Sequence, residues 1–348
     1  MFNRLRGMLY KGNSDDELLI RYKNSVLQVL TNNQIEVVWV KATVGSSVVL
    51  FEFLVKEPIE ISEMSVIEQE ITALRPSTRL TYNVAEQELC VESPRTVADP
   101  VSLERVISLN ESVYNSCELP LALGLTIQNK AIVIDLIKQP DILVCGTDAQ
   151  EMRRWFEMAI ASLLCSNQSA AMKFVLLGAT ANYADIDKDR VASECGGIEA
   201  LIKELKRRCG VLSQVNVRSI QAYNALSAEQ RLGHEPMPYL VVLIDELAAL
   251  SESDKLILNK PLLDLKWLPY LLGVHFICGT RDLTEKTLSL AFLAGGSSII
   301  AFKVNSADES KKVLDATGAE KLAGNGDMLS LLGGKLVRIQ SPTIDQTL

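Results

Sequence analysis

The stretch from Ile142 to Arg154, ILVCGTDAQEMRR, has the outline of a strand, a tight loop and the start of a helix, a corner on which many proteins hold phosphate. A phosphate-binding loop reads G-x-x-x-x-G-K-[S/T]. Its glycines let backbone N–H groups close on the anion, its lysine neutralises the charge and its hydroxyl takes the magnesium. Counting from Gly146 and Thr147, the second glycine position is Glu151, the lysine position is Met152 and the hydroxyl position is Arg153. The framing is present and the phosphate chemistry is replaced.

A second candidate lies about a hundred residues downstream in YLVVLIDELAAL. A buried strand that delivers Asp245 and Glu246 at its end has the form of a Walker B segment, in which the aspartate supports the magnesium shell and the glutamate orients the attacking water. Carboxylates also cap helices, so a plain alternative stands beside it: Asp245 as a cap and Glu246 as a surface carboxylate. The other conspicuous side chains have plain readings too. Arg153, Arg154 and Arg281 can meet a phosphate or an acidic neighbour or simply be solvated, KELKRR reads as the exposed face of an amphipathic helix, and His275 reads as a satisfied core residue.

The elements that must position these residues follow from the apolar pattern. Residues 35–56 are two β-rich runs around a Gly-Ser turn, an antiparallel hairpin. SEMSVIEQEITALR follows as a helix with a capping serine, and TRLTYNV and ELCVES as two further strands, giving a small ββαββ domain. Pro94 and Pro100 mark the departure from it. From about residue 120 the pattern changes to DILVCG, KFVLLG, YLVVLID, VHFICGT and SSIIAFKV, separated by helical stretches. Continuous apolar strands are those buried on both faces, which implies a mainly parallel sheet with its ligand edge at the carboxyl ends of the strands.

Composition narrows the class. The 348 residues suffice for two domains, and 48% apolar with 22% charged residues is the make-up of a globular protein. A net charge of -8 disfavours indiscriminate coating of nucleic acid and leaves only local DNA contacts. Seven cysteines without a C-x-x-C pair, together with two distant histidines, indicate neither a zinc site nor a disulfide framework, and a reducing cytoplasmic location is expected. The start, MFNRLRGMLYKGNSDDELL, lacks a signal-type apolar core and reads as a polar arm whose Phe2, Leu5, Met8, Leu9 and Tyr10 can dock on a partner.

From about residue 120 onward the chain resembles the motor domain of the FtsK/SpoIIIE family of DNA translocases, hexameric RecA-like ATPases. The resemblance is carried by GLTIQNKAIVIDLIKQPDILVCGT, KELKRRCGVLSQVNVRSIQAYN, YLVVLIDELAAL, LLGVHFICGTRD and AFKVNSADESKKVLDATGAEKLAGNGDML, of which the last is the most specific. It implies an α/β, RecA-like P-loop NTPase fold with a mainly parallel sheet, preceded by a small α+β domain. The expected division is an N-terminal arm or helix over 1–30, an α+β domain over 31–118, and a motor-type domain over 119–348 that ends in a β-hairpin. Neither a transmembrane region nor a winged-helix domain is expected.

Departures from the family pattern shape the expected function. The family pattern has glycine at Ala149 and Glu151, lysine at Met152 and serine at Arg153. Gly178-Ala179-Thr180 replaces Asp-Pro-Lys, Arg281 stands at the γ-phosphate-sensing glutamine with Asp282 and Leu283 after it, and Ile299 stands at an arginine. Asp148 and Glu151 add negative charge where a triphosphate is expected, and each unscreened like-charge contact near 4 Å costs about 4 kcal/mol at an effective dielectric of about 20.

The expectation is a homologue without ATP hydrolysis that needs no cofactor. It acts as scaffold, regulator or passive partner in a ring with itself or with an active family member, in chromosome segregation or a related DNA-processing assembly. Arg281 and Lys286, the cations where the family presents a pore loop, are the candidate DNA contacts and imply weak binding. Two alternatives stand: an active DNA-dependent ATPase holding Mg-ATP in an unorthodox way through Arg153 and the carboxylates, and a protein-interaction module that does not touch DNA.

Overall fold

The computed structural model describes residues 13–166, 172–178, 186, 188–192, 196–257, 269–291 and 298–344. The chain divides into two compact units, Met1–Thr96 and Val97–Leu348. The boundary therefore falls in the Pro94–Pro100 departure rather than at 118.

In the first unit, helix α1 (Asn13–Asn32) precedes β1 (Val37–Val44), β2 (Val48–Val55), α2 (Ile61–Leu74), β3 (Arg79–Asn83) and β4 (Glu88–Pro94). The strands form an antiparallel sheet in the order β1-β2-β4-β3. Alternation along β2 sends Val49, Phe51, Phe53 and Val55 to one face, where they pack with Ile67 and Ile71 of α2 and with Val26 and Leu30 of α1. Part of the expected arm is thus a core helix, while its docking residues before residue 13 lie outside the described residues. The capping serine is corrected too. Helix α2 begins at Ile61 after Glu60, whose N–H donates to the Glu63 carboxylate at 3.0 Å.

The second unit opens with two short helices, α3 (Leu103–Leu109) and α4 (Glu111–Ser116), whose Leu103, Val106 and Tyr114 join its core. The sequence continues through β5 (Pro120–Thr126), β6 (Ala131–Asp135), β7 (Asp141–Cys145), α5 (Ala149–Leu164), β8 (Met172–Leu177), α6 (Ile198–Gln214), α7 (Ile220–Asn224), β9 (Tyr239–Ile244), β10 (Val274–Thr280), β11 (Ser298–Ala301), β12 (Asp327–Leu332) and β13 (Lys335–Gln340). They form one sheet in the order β6-β5-β13-β12-β11-β7-β10-β9-β8.

Strands β11, β7, β10, β9 and β8 run parallel, and β12, β13, β5 and β6 extend the sheet antiparallel, with β12 and β13 forming the expected hairpin. Every residue of β7, β9 and β10 is buried, the pattern of strands covered on both faces. Cys145 and Cys278 are small core residues within them.

Register decides what the carboxyl edge presents. Cys145 lies beside Thr280 on one side and Ala301 on the other, while Ile244 lies beside Cys278 and Leu177. The segments after β7, β8, β9, β10 and β11 therefore emerge along one edge. Among the described residues no helix is long and apolar enough to cross a membrane.

Candidate functional site

The turn from β7 into α5 is three residues long, Gly146, Thr147 and Asp148, and the helix has begun by Ala149. A phosphate cradle needs backbone donors that point into open space. Here the amides of Thr147, Gln150, Glu151 and Met152 are already engaged. Thr147 N and Oγ1 donate to the Lys303 carbonyl at 3.0 and 3.1 Å. Asp148 caps α5, its Oδ1 accepting Gln150 N at 2.8 Å and Glu151 N at 3.2 Å. Met152 N donates to the Asp148 carbonyl at 3.1 Å.

The side chains at the other motif positions face inward or along the helix. Met152 is 4% exposed and belongs to the core cluster, so the lysine position points into packing. Arg153 Nε pairs with Glu157 at 2.9 Å, one helical turn on. Glu151 is buried, and its Oε1 accepts Gly326 N at 2.6 Å, tying the first turn of α5 to the Gly-Asn-Gly turn before β12. Burial pushes its carboxyl upward; the Gly326 hydrogen bond opposes this, Asp148 and Asp327 reinforce it, and Arg154 counters it. Gly146 has a packing reason of its own, because a Cβ there would lie 2.7 Å from Phe302 Cβ.

The segment after β9 keeps more of its expected arrangement. Asp245 Oδ1 is buried and has no hydrogen-bond partner. A side chain at Gly178 would approach it within 3.9 Å, which places the end of β8 beside it. Burial raises the Asp245 carboxyl above its ordinary range, against backbone hydrogen bonds and the charge of Arg153.

Asp245 is not the cap; Glu246 is, accepting Ala248 N at 3.3 Å. Nor is Glu246 a surface carboxylate. Its oxygens take Thr280 Oγ1 at 3.0 Å, Arg281 N at 3.2 Å and Arg281 Nε at 3.0 Å, so the end of β10 is clamped onto the end of β9. The close fit between these strands is set by Gly279, where a Cβ would lie 2.4 Å from the Asp245 carbonyl oxygen.

Arg281 at the sensor-like position is committed to Glu246, and Lys286 on the helix Glu285–Ala291 pairs with Glu252 at 3.1 Å. Asp282 accepts Thr284 N, Thr284 Oγ1 and Thr287 Oγ1, holding the start of that helix, and Leu283 is core. Ile299 sits inside β11 between Leu143 and Leu331, a core position. Ala179 and Thr180 lie outside the described residues.

In KELKRR, Lys203, Lys206 and Arg207 are exposed, but Arg208 is buried and donates to the Leu272 and Pro238 carbonyls at 2.8 and 2.9 Å. His275 is fully buried, yet neither ring nitrogen meets a partner in good geometry, and burial lowers its pKa to about 4. It is a core residue, and not a satisfied one. Two contacts were outside the sequence reading: the Thr280 hydroxyl on Glu246, and the carboxyl of Glu151 on Gly326. Thr280 is visible as the polar end of an apolar run; the Gly326 contact joins residues 175 positions apart and has no local signal.

A parallel sheet with a strand–turn–helix corner at one strand end and an Asp-Glu pair two strands away defines a RecA-like P-loop NTPase fold. The FtsK/SpoIIIE family pattern matches residues 103–316. The chain belongs to the FtsK/SpoIIIE family. Among curated relatives, DNA translocase FtsK of Chlorobaculum tepidum is 29% identical over 356 residues, covering 95% of this chain and 44% of the relative. DNA translocase SftA of Bacillus subtilis is 27% identical over 344 residues, covering 94% and 36%.

The chain thus spans less than half the length of these relatives. Two solved structures share the fold. The pCW3 conjugation coupling protein TcpA, in its monomer form with ATPγS, has a TM-score of 0.53 at 18% identity over 94% of this chain and 96% of its own. The cytoplasmic domain of the Thermomonospora curvata type VII secretion ATPase EccC has 0.54 at 20% identity over 66% and 29%.

Proposed function

We propose that the protein is a member of its family that does not hydrolyse ATP and acts as a scaffold, regulator or passive partner of an active DNA translocase or related assembly. The observation that carries this reading is the β7–α5 corner. Its amides are bonded to Asp148 and Lys303, its lysine position lies in the core as Met152, and its second glycine position holds a buried carboxylate bonded to Gly326. A triphosphate entering there must break these bonds and then face Asp148 and Glu151 without a lysine.

The candidate DNA contacts support weak binding at most, since Arg281 and Lys286 are already paired with Glu246 and Glu252. The cytoplasmic location and a ring formed with copies of itself or an active family member belong to the same proposal. Calorimetric titration with Mg-ATP, with and without duplex DNA, tests it. No saturable heat and no turnover are expected. Micromolar binding, with a stabilisation of about 2.7 kcal/mol at a hundredfold excess over Kd, overturns it.

A further inference from the structure

We propose that the segment Met1–Lys11 docks, within its own chain, along an exposed flank of the helix pair α1–α2 in the first unit. The flank follows from helical spacing. On α2 the core residues are Ile67 and Ile71, and Glu63, Val66, Glu70 and Leu74 recur at i, i+3, i+7 and i+11, which sets them in one stripe beside the core face. The whole stripe is exposed, Val66 and Leu74 at 46% each. On α1 a stripe of the same kind runs from Leu18, which is 50% exposed, through Tyr22 and Ser25 to Val29.

Two contacts turn these stripes toward each other. Asn33, just past α1, donates through Nδ2 to the Val29 carbonyl and to the Glu70 carboxylate, both at 2.9 Å, and the Arg75 guanidinium lies over the Tyr22 ring at 5.8 Å. Leu18, one turn before Tyr22, therefore lies toward the Leu74 end of the α2 stripe.

Charge and reach select the occupant. From Glu57 to Leu74 the chain carries Glu57, Glu60, Glu63, Glu68 and Glu70 with no lysine or arginine, so the exposed apolar side chains of α2 stand in an acidic frame. The segment MFNRLRGMLYK is the reverse: Arg4, Arg6 and Lys11 with no acid, around Met1, Phe2, Leu5, Met8 and Leu9. Those apolar residues are spaced as one face of a helix, so that face can meet Val66 and Leu74 while the cations beside it reach Glu63 and Glu70. A helix of that length rises about 17 Å, the same as the distance along α2 from Glu63 to Leu74. The segment is joined to the start of α1, close to Leu18, so docking in its own chain has a raised effective concentration. A second copy would lose translational freedom to do the same.

The inference concerns the first unit alone and is independent of the nucleotide reading, whose test is titration with Mg-ATP. The experiment is zero-length carbodiimide cross-linking of the full chain mixed with an equal amount of isotope-labelled full chain, read by mass spectrometry. Lys11 or the amino terminus is expected to be joined to Glu63 or Glu70, with both peptides of each pair carrying the same isotope.

Leu5→Asp combined with Leu9→Asp should remove most of this cross-link and speed tryptic cleavage after Arg4 and Arg6 about tenfold, as lost apolar burial raises the undocked population. Val66→Asp should do the same from the α2 side. Leu5 and Leu9 precede the helices that build the core, so a folding defect in Val66→Asp leaves the double variant decisive. Mixed-isotope pairs make a second copy the occupant and overturn the proposal. So do the absence of any cross-link from the segment to α2, and cleavage rates that ignore both sets of substitutions.

Discussion

Two corners of the same sheet edge, after β7 and after β9, hold their polar groups in different ways. After β7 the polar groups are bonded within the protein: Asp148 takes the helix amides, Lys303 takes Thr147, and Gly326 takes Glu151. After β9 the pair Asp245 and Glu246 keeps its place, with Glu246 clamped by Thr280 and Arg281 while Asp245 Oδ1 stays buried without a partner. A loop can satisfy itself because its backbone and flanks are free to choose new partners. A carboxylate at the end of a fully buried strand cannot move away, because strand register fixes where it emerges. The first corner is therefore bonded within itself, and the second keeps one buried carboxylate oxygen without a hydrogen-bond partner.

The largest effect is expected from rebuilding the first corner. Changing Ala149→Gly, Glu151→Gly, Met152→Lys and Arg153→Ser together restores the motif letters. It also puts an ammonium where Met152 packs in the core, places two glycines in the first turn of α5 and removes the bond to Gly326. Burying an unpaired charge and adding helix glycines should lower stability by about 3 kcal/mol or more, measured by urea unfolding. Nucleotide affinity should return only if the turn can open, and hydrolysis should lag behind binding, because transition-state charge stabilisation is also needed. A quadruple variant as stable as the parent that binds Mg-ATP would show that the bonds around Asp148 are incidental and that the two corners do not differ in kind.

A smaller effect, of opposite sign, is expected at the second corner. Burial raises the Asp245 carboxyl in the folded protein, so the folded state binds its proton more tightly than the unfolded chain does. By linkage this group lowers stability as pH rises from its unfolded value through its folded value, and the cost is fully present at neutral pH. Asp245→Asn should accordingly raise the urea midpoint at pH 7, and the gain should vanish as pH falls below about 4, where the parent carboxyl is protonated in both states. The measurement is the variant-minus-parent midpoint across that range. Destabilisation at pH 7 would mean that a cation or donor meets Oδ1 in solution, which favours the reading of a working magnesium site.

Much of the fold was legible because burial on both faces leaves a compositional trace. Runs such as LVVLI and HFICGT have no alternation to mistake, and the ββαββ order of the first unit follows from turn residues and period alone. The site was legible only as positions. Sequence spacing located Gly146, Glu151, Met152, Arg153, Asp245 and Glu246, but not what each would touch. Glu246 was open between a catalytic and a surface role because its partners Thr280 and Arg281 come from another strand. Arg208 reads as solvated in KELKRR, yet its helical position turns it under α6 toward two carbonyls. The α1 core contribution was obscured by the polar residues on the rest of that helix.

The smallest effect sharpens the comparison at the Glu246 clamp. Arg281 is about half exposed, and its pairing with Glu246 is one of several contacts that the carboxylate keeps. Solvent screening limits such a pair to about 0.2–1 kcal/mol, and Arg281→Ala leaves the Thr280 hydroxyl and the residue 281 amide in place. The expected loss is a few tenths of a kcal/mol that shrinks in 1 M salt, where the Debye length is about 3 Å. Retention on duplex DNA should not change, because the guanidinium is already committed to a carboxylate. Lys286→Ala, which leaves Glu252 paired with Lys255, supplies the matched control on a more exposed pair. If Arg281→Ala instead abolishes DNA retention while Lys286→Ala does not, the clamp opens in the presence of DNA. Glu246 would then be freed beside Asp245, and the second corner would be a gated site rather than a residual one.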